Sequence, residues 1–337
     1  MHSPKEVYKK WVDQTNISRK SGVTDYFFNI ADLIVCVRLH SHTLVKPFLS
    51  AIDHLRIEPS KADYVIDVWD CKNNQLTFPP FDYGIDDVKL RGEIPQYSGD
   101  GIEFAYFAHA RMVHVLNENT KHGIVALMNA DALPKFELAC PFRAIFSWVL
   151  RNNRMSIIHA AALADSTGNT CLIMGKGGAG KSTTAISCYL AGMQYIGDDL
   201  CAIGIRDSKV YIFSIYSSGK TYRSEWQYMP ELSTLATHYV DKDFDKEVYF
   251  FSNAPERTSR SGPLKTIFIP VKAGALKPTS PPPIASIINT TVESTRELLP
   301  AAGFESLPLL YAAFKQANVS LLQLEDSRQC PIPQLII

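Results

Sequence analysis

Cys171-Leu172-Ile173-Met174-Gly175-Lys176-Gly177-Gly178-Ala179-Gly180-Lys181-Ser182-Thr183 is the stretch that decides how this chain is read. Residues 175–182 match the phosphate-loop pattern G-x-x-x-x-G-K-[ST] in full. The apolar run 171–174 predicts a buried strand before the loop. Residues 181–191 predict a helix after it, closed by Gly192 where a C-terminal glycine belongs. Glycines let main-chain amides curl around phosphate oxygens with no Cβ in the way. Lys181 brings a mobile ammonium to the terminal phosphates, and the Ser182 hydroxyl can ligate Mg²⁺. The helix N-terminus adds partial positive charge at the same place. A chance match somewhere in a chain of this glycine content is roughly a one-in-a-hundred event, before strand and helix are considered. Gly175 through Thr183 are therefore the expected nucleotide contacts, with ATP or GTP and Mg²⁺ as ligands.

Working outward, the downstream segment Gln194-Tyr195-Ile196-Gly197-Asp198-Asp199-Leu200-Cys201-Ala202-Ile203 reads as two short strands around an acidic doublet. A carboxylate at a strand end beside a phosphate loop is where a Walker-B-type metal ligand sits, so Ser182, Asp198 and Asp199 are the candidate metal ligands. Neighbouring aspartates in a tight turn point different ways, which allows separate duties. Upstream, His159 lies in the apolar run Ser156–Ala162, where a histidine serves the core as readily as a site. Leu-Ser-Gly-Gly-Gln, Asn-Lys-x-Asp and His-Arg-Asp signatures are absent from the sequence.

Further out, residues 1–150 read as a mixed α/β region without a catalytic signature, and 151–337 as the nucleotide-binding domain. Val65–Trp69 alternates like a half-buried strand, followed by a turn at Asp70–Asn74. Phe104–Phe107 and Val113–Leu116 predict two more strands, and 76–101, with Pro79-Pro80 and Pro95, a loop. Phe142, Ile145, Phe146, Val149 and Leu150 fall on one face of a helix. The segment 155–272 is expected to alternate strands and helices. Pro278–Pro283 should be extended, Leu307–Phe314 a short helix, and the Pro331-Ile332-Pro333 tail irregular.

Lys plus Arg and Asp plus Glu both number 34 among 337 residues, so no net charge marks the chain for nucleic acid or an anionic membrane. No apolar run reaches the roughly 18–20 residues of a membrane helix, and the first residues lack a signal-peptide pattern, so the expected compartment is the cytoplasm. The seven cysteines are scattered and never spaced Cys-x-x-Cys, which predicts mostly reduced, buried thiols. His40, His42 and His54 do not form a metal-ligand spacing.

His159, the phosphate loop and Asp198-Asp199 together resemble the C-terminal catalytic domain of bacterial HPr kinase/phosphorylase, a family that shares its nucleotide-binding core with phosphoenolpyruvate carboxykinases. Its pattern runs His-Gly, a strand, a phosphate loop, a helix ending in glycine, then Asp-Asp. The stretch from His159 to Asp199 is similar to HPr-kinase-like proteins found beside bacterial peptide-modification genes, including lasso-peptide kinases. There a segment like Ser214–Lys220 follows, and the N-terminal half holds something like Pro47–Ala51 and a later Trp69-Asp70.

The resemblance implies an α/β fold with a P-loop core of the HPr kinase/phosphoenolpyruvate carboxykinase type after an N-terminal mixed α/β region. It implies Asp198 as general base, Asp199 as a metal- or water-linked partner, and His159 as the group orienting phosphate and base. A further cation over the γ-phosphate would be Lys220 in preference to Arg223 or Lys246. The family's Lys-Ser-Glu is here Lys181-Ser182-Thr183, and its later Glu-x-x-x-x-x-Asn is missing, which argues against reverse phosphorolysis and against HPr as acceptor. The expected activity is transfer of a γ-phosphoryl group to a hydroxyl, chiefly a Ser or Thr of a peptide or protein. A small-metabolite kinase and a regulatory NTPase without acceptor are the alternatives. Oligomeric state is left open, a homo-oligomer included.

Overall fold

The computed structural model describes residues 3–44, 48–78, 92–226, 229–240, 245–251, 254–272, 280–299, 304–324 and 332. The chain divides into two compact units, Met1–Val149 with Leu299–Ala301, and Leu150–Leu298 with Ala302–Ile337. Both are mixed α/β.

The first unit opens with helix α1 (Pro4–Ser18). Ser3 and Glu6 form a reciprocal capping box, Pro4 occupies the first turn, and Val7, Trp11, Thr15 and Ser18 form the buried stripe. Seven strands follow: β1 (Thr24–Ile30), β2 (Leu33–Leu39), β3 (Arg56–Ile57), β4 (Tyr64–Asp70), β5 (Ile102–Phe107), β6 (Met112–Asn117) and β7 (His122–Leu127). They form one sheet in the order β3-β1-β2-β4-β7-β6-β5. Strand β4 runs parallel to both β2 and β7. That central place explains why Ile66 to Trp69 are buried without alternation, where the sequence predicted a half-buried strand. The buried Asp67 carboxylate accepts hydrogen bonds from Arg19 (2.6 Å), His40 (2.7 Å) and His122 (2.7 Å), so its charge is matched.

The predicted turn after β4 is a single helical turn, Cys71–Asn74, capped by Asp70. Strands β5 and β6 pair as expected. Residues 79–91, with Pro79-Pro80, lie outside the described residues. Helix α2 (Arg143–Asn152) buries four of the five predicted apolar positions, and Ala144 and Trp148 as well, so it is covered on more than one face; the fifth, Phe142, is buried but precedes the helix with a left-handed φ of 61°.

The second unit departs from the predicted alternation of strands and helices. It holds β8 (Ser156–Ile158), β9 (Ala161–Ala164), β10 (Thr170–Ile173), β11 (Gln194–Gly197), β12 (Cys201–Arg206), β13 (Lys209–Phe213), β14 (Ser218–Tyr222), β15 (Thr237–Tyr239), β16 (Lys246–Phe250), β17 (Ser261–Lys272) and β18 (Asn318–Leu324). Up to residue 272, α3 (Lys181–Leu190) is the one described helix longer than a single turn; α4 (Ile284–Arg296) and α5 (Leu307–Gln316) come later. Part of the difference lies in a tight hairpin between β12 and β13. It turns through Asp207 and Ser208, both left-handed (φ 49° and 62°), without a glycine to announce it. Pro283 is extended and leads into α4; residues 273–279, including Pro278, and the tail prolines lie outside the described residues.

The large sheet runs β11-β9-β10-β17-β13-β12-β8, with β18 on β17. Strands β8 and β9 are joined by only two residues, and β11 and β12 by three. At about 3.5 Å per residue, such links cannot span an open sheet of this width. Strand β8 pairs with β12, and β9 with β11, all antiparallel. The two strand pairs are therefore two bent, interrupted strands lying side by side, and the pairings close into a ring. The interruptions, 159–160 and 198–200, face each other in register, between the pairs Cys201↔Ile158 and Gly197↔Ala162.

Period-two alternation then sorts the core. Ala160, Ala162, Ala164, Leu172 and Met174 pack with α4 and α5. Ala161, Leu163, Cys171 and Ile173 pack with α3 and with Tyr249 and Phe251. Cys36, Cys71, Cys171 and Cys201 are buried thiols, whereas Cys188 is disulfide-bonded.

Candidate active site

Strand β10 delivers the chain through buried Met174 into the loop 175–180 and on to α3. Gly178 and Gly180 take φ of 73° and 95°, the left-handed region where a side chain is strained. At Gly180 a Cβ would also stand 2.7 Å from Leu324 Cδ1. Lys176, Gly177 and Gly178 are exposed, as a phosphate cradle needs. Lys181 Nζ reaches back over the loop and donates to the carbonyls of Gly175 (2.9 Å) and Lys176 (3.3 Å). Burial holds its pKa below that of an ordinary lysine, although Asp198 and Asp199 oppose the shift.

The acidic doublet lies directly beside this loop. Ser182 Oγ donates to Asp198 Oδ1 at 3.1 Å. Asp198 is 4% exposed, and its other oxygen, Oδ2, is buried with no hydrogen-bond partner. Burial and the neighbouring negative charge of Asp199 push its pKa up to about 6. Asp199 adopts φ 62°, and its carboxylate has partners other than those of Asp198. Its Oδ2 meets Lys220 Nζ at 2.9 Å, and Oδ1 lies 3.7 Å from His159 Nε2. Burial works against its ionisation, but Lys220 and His159 overcome this and hold Asp199 well below the usual carboxylate range.

The strand interruption places His159 opposite Asp199, and its backbone amide is tied to the Thr295 hydroxyl of α4 (2.8 Å). Burial and the charge of Lys181 lower the pKa of His159 to about 4, so the imidazole is neutral near pH 7. A cavity of about 540 Å³ lies over the loop, lined by His159, residues 177–183, Asp199 and Lys220. Asp198 is not among its lining residues. Of the other cations considered from sequence, Lys246 lines the cavity, whereas Arg223 pairs with Glu247 at 3.3 Å.

Tyr222, Glu225 and Leu324 line the cavity as well and were not singled out from sequence. Leu324 ends a strand more than a hundred residues after the loop, with no local signal. Tyr222 and Glu225 do lie just after the Ser214–Lys220 segment. Among the described residues no group of three His, Cys, Asp or Glu side chains could hold a metal by itself. The buried, unpartnered Asp198 Oδ2 beside the Ser182 hydroxyl nevertheless fits Mg²⁺, an ion that commonly takes one or two protein ligands and fills its shell with phosphate and water.

No family model matches this chain, and no curated protein matches it. Among solved structures, it is similar to the Hpr(Ser) kinase/phosphatase from Coxiella burnetii, at 13% identity and a TM-score of 0.25. The match covers 38% of this chain and 66% of that one, just under two thirds of the neighbour's length. A likeness that faint does not bear on the chemistry, which rests on the residues themselves.

Proposed function

We propose that the chain is a nucleotide-dependent kinase that moves the γ-phosphoryl group of ATP or GTP to a hydroxyl, a Ser or Thr of a peptide or protein. The observation that carries this reading is the 3.1 Å contact between Ser182 and Asp198, which joins the helix after the phosphate loop to the acidic doublet. The loop amides and Lys181 bind the β- and γ-phosphates. Ser182 and Asp198 would hold Mg²⁺, which supplies charge neutralisation on the phosphates.

Base strength and access divide the aspartates. The raised pKa of Asp198 would suit a general base, yet its carboxylate is buried against Ser182 and does not line the cavity. Asp199 is the weaker base, but it faces the cavity and is held by Lys220. Access decides, because in a loose phosphoryl-transfer transition state orientation of the nucleophile outweighs base strength. Asp199 therefore aligns the acceptor hydroxyl and takes its proton as oxygen bonds to the γ-phosphorus and the bond to the nucleoside diphosphate breaks. Neutral His159 lies beside the Asp199 carboxylate, at 3.7 Å. The resemblance of residues 159–199 to HPr-kinase-like proteins supports a peptide or protein acceptor.

Wild-type protein should bind mant-ATP with Mg²⁺ and transfer label from γ-labelled ATP to an acceptor in a mixed peptide and metabolite screen. Lys181→Met should weaken nucleotide binding by about tenfold or more. Unchanged binding in that variant would remove the reading. Hydrolysis without transfer to any acceptor would favour a regulatory NTPase.

A further inference from the structure

The small sheet β14-β16-β15 contributes a second set of groups to the cavity. Strand β14 pairs antiparallel with β16 in the register Lys220↔Val248 and Tyr222↔Lys246. Cross-strand partners share a face, and so do positions two apart on one strand. Lys220, Tyr222 and Lys246 consequently stand on one face of this sheet, and all three line the cavity.

The two lysines are not equivalent. The charge of Lys220 is matched by Asp199 at 2.9 Å. Lys246 forms no ion pair with any described carboxylate; its ammonium lies over the Tyr222 ring, 4.9 Å from the centroid. An aromatic face holds a cation loosely and leaves its N–H donors available. Lys181 at the phosphate loop and Lys246 on the small sheet thus bring two ammonium groups to one cavity. Lys181 already serves the β- and γ-phosphates in the proposed function, and the face opposite the loop is where a terminal phosphate would project.

We infer that Lys246, steadied on the Tyr222 ring, is the cavity's reader of the terminal phosphate and makes the site prefer a nucleoside triphosphate to a diphosphate. This rests on the kinase reading and assigns to Lys246 the duty that the sequence resemblance gave to Lys220. The chemistry recognised is a phosphate monoester end carrying close to two negative charges. A diphosphate, seated on the loop, stops short of it.

The test compares mant-AMPPNP with mant-ADP, each with Mg²⁺, on the full chain. Wild type should bind the triphosphate analogue at least about tenfold more tightly than the diphosphate, in line with a charge-assisted hydrogen bond. Lys246→Met should cut that preference by about tenfold while mant-ADP affinity stays within about twofold, which also shows that the loop is intact. Lys246→Arg should restore most of it, and Tyr222→Leu should reduce it by a smaller factor. A Lys246→Met protein that keeps the wild-type preference, or a wild type with no preference, overturns the inference while leaving nucleotide binding in place. Failure of the wild type to bind either analogue overturns the kinase reading and this inference together.

Discussion

Asp198 and Asp199 are adjacent in sequence and opposite in environment, and single substitutions should separate them. Asp199→Asn should lower the transfer rate by about 10²–10⁴-fold with nucleotide affinity little changed, because only the acceptor's orientation and proton are affected. Asp198→Asn should instead raise the Mg²⁺ concentration needed for half-maximal nucleotide binding, measured by titrating the metal at fixed mant-ATP. Similar metal dependence in the two variants would mean that the duties are not divided in this way. Away from the site, Asp67 carries a structural version of the same physics. Asp67→Asn would leave Arg19, His40 and His122 around a neutral amide, and should cost about 3 kcal/mol in a urea melt. The doublet could be picked out from the sequence because motif spacing marks it. Asp67 could not, since its three partners come from positions 19, 40 and 122 and nothing in the local pattern of β4 distinguishes a matched buried carboxylate from an exposed one.

Among elements, the strand–loop–helix at 170–190 was legible because every feature it needs is local: an apolar run, glycines, and a helix closed near Gly192. Helix α1 was equally local but unread. Ser3-x-x-Glu6 with Pro4 is a start signal, followed by Val7, Trp11, Thr15 and Ser18 on one side. Ser3→Ala should cost about 1 kcal/mol, read as a shift in denaturant midpoint with unchanged slope. The small sheet was not legible. Its strands β14 and β16 are brought into register by pairing across a separation of more than twenty residues, and that pairing alone turns Lys246 toward the phosphate loop. Sequence patterns report which face a residue takes on its own strand, but not which partner strand supplies the neighbour.

For the molecule as a whole, two buried groups of the first unit should contribute to acid sensitivity. Burial opposes ionisation of Glu137, yet Arg143 and His109 overcome this and lower its pKa to about 2. That contribution is complete above the unfolded value of 4.5 and is lost as pH falls toward 2. His114 is wholly buried, neither ring nitrogen has a hydrogen-bond partner, and burial depresses its pKa to about 3. Here the unfolded chain takes up a proton near 6.5 that the folded form refuses, so stability again drops as pH falls from 6.5 toward 3. The two groups act in the same direction. Urea midpoints should therefore decline steadily from pH 7 to pH 4, and His114→Phe should flatten the upper part of that decline. A flat wild-type profile over this range would contradict the His114 assignment, and the Glu137 contribution should show as a further loss below pH 4.5.

The paired interruptions at 159–160 and 198–200 carry a consequence for how this scaffold can change. His159, Asp198 and Asp199 occupy the few positions of the ring that lie outside its strand pairings, so altering them unzips nothing. New chemistry could be tried there by substitution while the surrounding framework keeps its melting temperature, which makes this gap a place where function can drift without putting folding at risk.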